Sequence, residues 1–172
     1  MISQTPWFQR KFNFDFPVGL FPVILERLRG TVPRIEQIIE NHSEEFLEFK
    51  SAEQWSIKEH IGHLYDLENL WYGRIDDFLS GATSLRAADL TNSRTHSANH
   101  NLKKSGELLK LFAESRRLFL PRIEQIDETT AVLTALHPRL QEPMRLIDSI
   151  FFVAEHDDHH LAKMRELAER EA

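Results

Sequence analysis

Residues 56–79 read SIKEHIGHLYDLENLWYGRIDDFL, and this stretch decides the fold. Ser56 and Glu59 match the S-x-x-E pattern of a capping box, which marks the start of a helix. The apolar residues that follow recur every three or four positions, which indicates one buried face of an amphipathic helix. We therefore predict a helix over about residues 56–80, ending near Gly81. Its apolar face consists of Ile57, Ile61, Leu64, Leu67, Trp71, Ile75 and Phe78.

The helical period also precedes this stretch. A first helix is predicted over residues 17–41, broken at Gly30. Thr31 can cap its second piece, and Pro33 is tolerated in the first turn of that piece.

Two further helices are predicted after the one over residues 56–80, and they span about residues 96–126 and 143–169. Pro121 lies inside the third helix and is expected to kink it or to end it early. No run of alternating β-branched residues predicts a strand. The sequence therefore predicts an all-α four-helix bundle, in which the long connection over residues 82–95 allows a crossover.

Composition narrows the class of protein. The chain has 21 Lys and Arg against 27 Asp and Glu, a formal charge of −6, which argues against nucleic acid as a partner. It has no cysteine, which excludes disulfides, thiolate metal sites and a cysteine nucleophile. No apolar run reaches the roughly 20 residues that cross a bilayer. Because no signal-peptide pattern opens the chain, we expect a cytoplasmic protein with no membrane partner.

A length of 172 residues suits one domain. We predict an N-terminal aromatic arm over residues 1–16 and a single domain over residues 17–172. The arm would suit a contact in a homodimer, although packing on its own domain is the simpler account. Its aromatic residues are Trp7, Phe8, Phe12, Phe14 and Phe16.

Nine histidines are the unusual feature of the composition. His156 and His160 are four residues apart on the predicted fourth helix, so they share one face and can hold one metal ion. Both fall toward the edge of the apolar face of that helix. His159 falls roughly opposite that face and is predicted to be exposed.

Helical phase leaves a third ligand undecided. On the second helix, His60 lies inside the apolar face and His63 lies at its edge. Helical phase is therefore consistent with either histidine as the third ligand. His96 and His100 have the same spacing as His156 and His160. Their surroundings are almost without apolar residues, which predicts an exposed helix start.

Four segments together resemble the DinB/YfiT-like superfamily. They are LERLRGTVPRI (Leu25–Ile35), WSIKEHIGHLYDLE (Trp55–Glu68), DLTNSRTHSANHN (Asp89–Asn101) and AEHDDHHLAKM (Ala154–Met164). The resemblance implies a four-helix bundle that binds one divalent metal ion through three histidines. Carried over residue by residue, it implies His63, His156 and His160 as the ligands, and so favours His63 over His60.

All-histidine ligation suits zinc or nickel, with iron or copper as alternatives. Three ligands leave an open position, which is typical of a reactive centre rather than a structural one. Carboxylates should orient the imidazoles, and Glu68 and Asp157 are the main candidates, beside Asp66 and Asp158. The alternative for Glu68 and Asp157 is a buried ion pair with an arginine such as Arg74 or Arg116.

The resemblance implies relatives among thiol-dependent transferases and isomerases. We therefore hypothesise a metal-dependent thiol S-transferase that acts on a small-molecule substrate with a low-molecular-weight thiol. The alternatives are a metal-dependent hydrolase and a non-catalytic metal-binding or stress-response protein. A cavity that reaches the ion would favour an enzyme, whereas a sealed ion would favour a structural role.

Overall fold

Helices dominate the computed structural model, which describes residues 2–50 and 54–169. None of its helices within these ranges is long and apolar enough to cross a membrane. Single 3-10 turns occur at Trp7–Gln9, Val18–Leu20 and His100–Leu102. The α-helices are α1 (Phe21–Arg29), α2 (Thr31–Ile39), α3 (Glu44–Glu48), α4 (Ile57–Leu79), α5 (Ser93–Ser97), α6 (Ser105–Glu124), α7 (Glu128–Ala131) and α8 (Leu146–Ala168), and the strands are β1 (Thr134–His137) and β2 (Glu142–Arg145).

The capping box at the start of α4 is confirmed. The backbone N–H of Glu59 donates to the hydroxyl oxygen of Ser56 at 3.1 Å. In return, the backbone N–H of Ser56 donates to the Glu59 carboxylate at 2.9 Å. These bonds satisfy backbone donors that the first turn of a helix leaves free.

The first predicted helix is broken at Gly30, as expected, but Thr31 does not cap the second piece. Gly30 occupies the cap position, and Thr31 is the first residue of α2. The Thr31 hydroxyl instead donates to Asp157 at 2.8 Å. A capping side chain must precede the first helical residue, and the helix here begins one residue earlier than a Thr31 cap requires.

The third helix is shorter than predicted and passes through Pro121. It begins at Ser105 rather than near residue 96, because α5 and a 3-10 turn occupy the preceding segment. Pro121 removes the backbone bond to the carbonyl of Arg117. Arg117 is exposed, so water can satisfy that carbonyl, and α6 continues to Glu124.

The fourth helix begins at Leu146, three residues later than predicted, because Pro143 lies in a strand. Strands β1 and β2 form an antiparallel hairpin that pairs Ala135 with Met144. Both residues are buried, so the hairpin is held by its apolar face. The short turn between the strands carries Arg139.

The crossover connection is confirmed by the direction of the helices. The ion pairs Glu68–Arg116 and Asp76–Arg122 join α4 to α6 in the same order along both helices, so these two run parallel. Residues 80–104 therefore return the chain along the bundle. Helix α8 runs antiparallel to α4 and packs on its other side. The fold is thus an all-α four-helix bundle with one small hairpin.

A polar layer crosses the bundle at mid-height and divides its core in two. One apolar cluster contains Trp71 and Phe119, and the other contains Ile61 and Phe112. Between them, the guanidinium of Arg116 bonds to Glu68 at 2.7 Å and to Asp157 at 2.6 Å. The layer consists of Thr31, Glu68, Arg116 and Asp157, and the histidines of α4 and α8 adjoin it.

We expect Trp71→Ala to lower the free energy of unfolding by about 3–5 kcal/mol, as for other buried large aromatic residues. Trp71 is 4% exposed, and its ring lies 6.4 Å from that of Phe152. Urea denaturation followed by circular dichroism would measure the change. Leu102→Ala is a control, because Leu102 is 87% exposed and its loss should cost less than about 0.5 kcal/mol. A change below about 1 kcal/mol at Trp71 would contradict its place in the core.

Candidate metal centre

Three imidazoles meet between α4 and α8. His63 comes from α4, and His156 and His160 lie one turn apart on α8. The Nε2 atom of His156 lies 3.4 Å from Nε2 of His63 and 3.2 Å from Nε2 of His160. One ring nitrogen from each of the three falls within 4.8 Å of the others. The arrangement can therefore surround one ion.

The three imidazoles are neutral at pH 7. Burial lowers the pKa of His63 to about 4, and nearby histidines add to the effect. Burial also holds the pKa of His156 and of His160 well below the usual value for histidine. Each ring therefore keeps a lone pair available for a metal ion.

Hydrogen bonds indicate which nitrogen of His63 carries the proton, and they allow the same tautomer in His160. Thr95 donates its hydroxyl to Asp66 at 2.9 Å, so its oxygen accepts from Nδ1 of His63 at 3.1 Å. On His160, Nδ1 lies 2.8 Å from Nδ1 of His60 and can donate to it. Nε2 of His63 is then unprotonated, and when His160 donates from Nδ1 its Nε2 is unprotonated as well; both Nε2 atoms face His156.

The spacing of the nitrogens fits a metal ion. A tetrahedral ion at about 2.0–2.1 Å from each nitrogen separates its ligand atoms by about 3.3–3.4 Å. The two Nε2 separations are close to this value. Without a cation, a proton on Nε2 of His156 can bond to only one of the two facing Nε2 atoms, and the other stays buried without a donor. The donor set therefore suits a divalent ion with one position left for a small molecule.

We expect Thr95→Val to weaken metal binding by about 10–100-fold, which is the usual cost of losing an outer-shell partner. The change removes the acceptor of the His63 Nδ1 proton and frees that ring to rotate. Competition with a chromophoric chelator would measure the affinity. Thr91→Val is the matched control, because Thr91 lies in the same connection and bonds to Asp89 instead. Equal affinities for the two variants would contradict a role for Thr95.

A cavity of about 210 Å³ reaches the cluster, and all three imidazoles line it. This is far more than the roughly 10–15 Å³ that holds one water molecule. Five large aromatic side chains contribute to its walls: Trp7, Phe8, Trp55, Trp71 and Phe152. The site therefore has room for a small molecule beside the three histidines.

His159 also lines this cavity, and the prediction that it is exposed is wrong. Its exposed fraction is 8%. Helical phase places it roughly opposite the apolar face of α8. The N-terminal segment covers that side, however, and the ring of Trp7 lies 5.5 Å from that of His159. Helical phase alone cannot predict burial of a residue by a segment that is distant in the sequence.

The prediction of an exposed position is also wrong for His100, although His96 is exposed as expected. His100 is 3% exposed, and its Nε2 bonds to Asp66 at 2.9 Å. Its ring lies over Gly62 of α4, where an added Cβ would come within 2.2 Å of it. Sequence reasoning missed this contact and Thr95. Gly62 was the available signal for the His100 contact, because the ring packs where any other residue would place a Cβ.

The candidate carboxylates take different places. Glu68 and Asp157 both form ion pairs with Arg116, as the alternative interpretation of the sequence predicted. Neither carboxylate bonds to an imidazole among the described contacts. Burial raises the pKa of Glu68, and Arg116 partly offsets this. Asp66 is the carboxylate that reaches His63, through Thr95. Asp158 lies nearer the surface and pairs with two arginines, Arg27 at 2.6 Å and Arg34 at 2.8 Å.

Two comparisons relate this chain to known proteins. A family model of the DinB superfamily matches residues 27–164. Among solved structures, YfiT from Bacillus subtilis matches with a TM-score of 0.82 and 18% sequence identity, over 94% of this chain and 93% of that one. YfiT is described as a probable metal-dependent hydrolase with an unusual four-helix bundle topology. No curated protein gives a significant match.

Proposed function

The chain belongs to the DinB superfamily, and from that premise we propose that it is a metal-dependent enzyme acting on a small molecule. His63, His156 and His160 bind one divalent ion through their Nε2 atoms. Zinc or nickel is the expected ion, and iron or copper would also suit three imidazoles. Glu68 and Asp157 contribute indirectly, because their ion pair with Arg116 holds α4 and α8 together beside the ligands.

One observation carries this proposal: the cavity of about 210 Å³ is lined by all three ligand histidines. A structural ion is usually closed by four protein ligands. Here three imidazoles border a cavity with aromatic walls, so a substrate could reach the fourth position. This favours an enzyme over a sealed metal-binding protein.

The reaction that we propose is transfer of a low-molecular-weight thiol to an electrophile. When bound, a divalent ion acts as a Lewis acid and lowers the pKa of a thiol or of water. The chain has no cysteine, so the sulfur nucleophile must arrive as a co-substrate. The aromatic residues around the cluster bind the apolar part of the electrophile.

Hydrolysis of a small molecule is the second candidate. It is favoured by the description of YfiT, which shares this fold, as a probable metal-dependent hydrolase. A non-catalytic metal-binding or stress-response protein is the third, and the open cavity argues against it. A homodimer and a cytoplasmic location stay predictions from the sequence.

We expect cobalt-substituted protein to develop a thiolate-to-cobalt charge-transfer band when a thiol such as bacillithiol or glutathione is added. Elemental analysis of protein purified without added metal would first identify the native ion. The titration would then be repeated with His156→Ala/His160→Ala, which should show no band. If acetohydroxamate binds cobalt and no thiol does, hydrolysis replaces thiol transfer. If nothing reaches the ion, the binding-protein hypothesis replaces both.

A further inference from the structure

Arg139 lines the cavity without a partner for its charge. It lies in the turn of the hairpin, between β1 and β2. Its Nη2 atom is buried, and it makes no hydrogen bond to the described residues. None of the ion pairs within those residues includes it either. A buried donor without an acceptor is costly, and more so on a charged group.

The cavity is positively charged, although the chain carries a net charge of −6. Arg74 also lines it. Burial lowers its pKa to about 10, Asp77 outside the lining opposes this, and Arg139 and Arg86 add to it. Asp89 is the carboxylate of the lining, and it is occupied by Thr91 and Ser93 of its own loop. No acidic side chain of the described lining therefore neutralises the two guanidinium groups.

Aromatic rings surround the free guanidinium. Its central carbon lies 5.8 Å from the ring of Trp7, 5.4 Å from that of Phe8 and 5.5 Å from that of Phe152. These contacts favour a cation electrostatically, but they leave its N–H donors free to bond. A planar guanidinium matches a carboxylate, which can accept two of its N–H groups at once.

The ring of Trp7 links this group to the metal centre. It lies 5.8 Å from the guanidinium carbon of Arg139 and 5.0 Å from the ring of His156. A small molecule in the cavity can therefore contact Arg139 at one end and the histidine cluster at the other.

We propose that Arg139 binds the carboxylate of the substrate, and that the substrate is a small organic acid with an apolar or aromatic body. The proposal rests on the proposed function only in placing the reactive end of that acid at the histidine cluster. Arg139 is thus a specificity-determining residue. Arg74 contributes its charge, while its Nε and Nη2 groups donate to the Arg86 carbonyl.

The test compares benzoate with its neutral analogue benzamide. The protein has three tryptophans, and all three line the cavity, so intrinsic fluorescence reports binding directly. The titration uses metal-free protein prepared with a chelator, which prevents the carboxylate from binding an ion instead. We expect benzoate to bind at least about 10-fold more tightly than benzamide, as for a hydrogen bond between two charged groups.

Arg139→Gln should abolish this preference and leave the affinity for benzamide unchanged. Arg139→Lys should retain part of the preference, and Arg122→Gln, which removes an arginine paired with Asp76 on the surface, should retain all of it. Unchanged benzamide binding also shows that a variant is folded. Equal affinities of the wild type for the two probes, or a preference that survives Arg139→Gln, would overturn the proposal.

Two further measurements distinguish this proposal from phosphate binding at the same site and from the proposed function. If inorganic phosphate binds more tightly than benzoate with the same dependence on Arg139, the carboxylate is the wrong ligand and the site takes a phosphate. Metal content is measured by elemental analysis on the same protein preparation before the chelator is added. Benzoate binding that depends on Arg139, from a preparation that carries no metal at that stage, would support this site and reject the proposed function. If the protein carries metal but benzoate binding does not depend on Arg139, this site is rejected and the proposed function is supported.

Discussion

Replacing His156 and His160 together by alanine should reduce bound metal from about one ion per chain to almost none. His63 alone would remain, and one imidazole cannot hold a divalent ion against dilution and chelators. The apolar faces of α4 and α8 are untouched, so the helical circular dichroism spectrum should persist. Elemental analysis after gel filtration would measure the metal content.

His159→Ala is the matched control for this experiment. His159 neighbours His160 on α8 and is buried to a similar extent, but it lies outside the cluster of three ring nitrogens. Its loss should leave the metal content unchanged. If His159→Ala removed the ion and His160→Ala did not, the proposed ligand set would be wrong.

Arg116→Met should destabilise the fold by about 3–5 kcal/mol, because it leaves two buried carboxylates without a counter-charge. The side chains of Arg116, Glu68 and Asp157 are 2%, 4% and 1% exposed. Burial opposes the charge on Arg116, but Asp157 and Glu68 together raise its pKa above the usual value. Urea denaturation at pH 7 would measure the loss.

A triple variant isolates the cause of that loss. Replacing Glu68 and Asp157 by leucine in the Arg116→Met background removes the unpaired charges, and should recover most of the stability. Arg122→Met removes an arginine of the same helix from a surface pair with Asp76, and should cost less than about 1 kcal/mol. Equal losses for Arg116→Met and Arg122→Met would show that the buried pair contributes little.

The sequence predicted most of the fold because its signals are local. The capping box at Ser56 and the break at Gly30 depend on neighbouring residues, and both are confirmed. The membership of the DinB superfamily, which the motifs implied, is confirmed as well. The strands of the hairpin were missed, because each has only four residues and is held by a partner that no local pattern reveals.

The candidate site was predicted less completely. Spacing brought His156 and His160 together, but phase could not choose between His60 and His63. In the structure His63 faces the other two, and His60 lies behind His160. Thr95 escaped notice because its contacts with His63 and Asp66 depend on how the connection over residues 80–104 folds back on α4. Long-range contacts of this kind leave no periodic trace in the sequence.

The polar layer also sets the axial register of α8. If that helix slid by one turn, about 5.4 Å, the apolar Val153 or Leu161 would replace Asp157 beside Arg116, and a buried charge would lose its partner. The same slide would carry both imidazoles of α8 away from His63. The relative height of α4, α6 and α8 is thus fixed by charges outside the histidine cluster, and the alignment of the candidate metal ligands derives from a neighbouring ion pair.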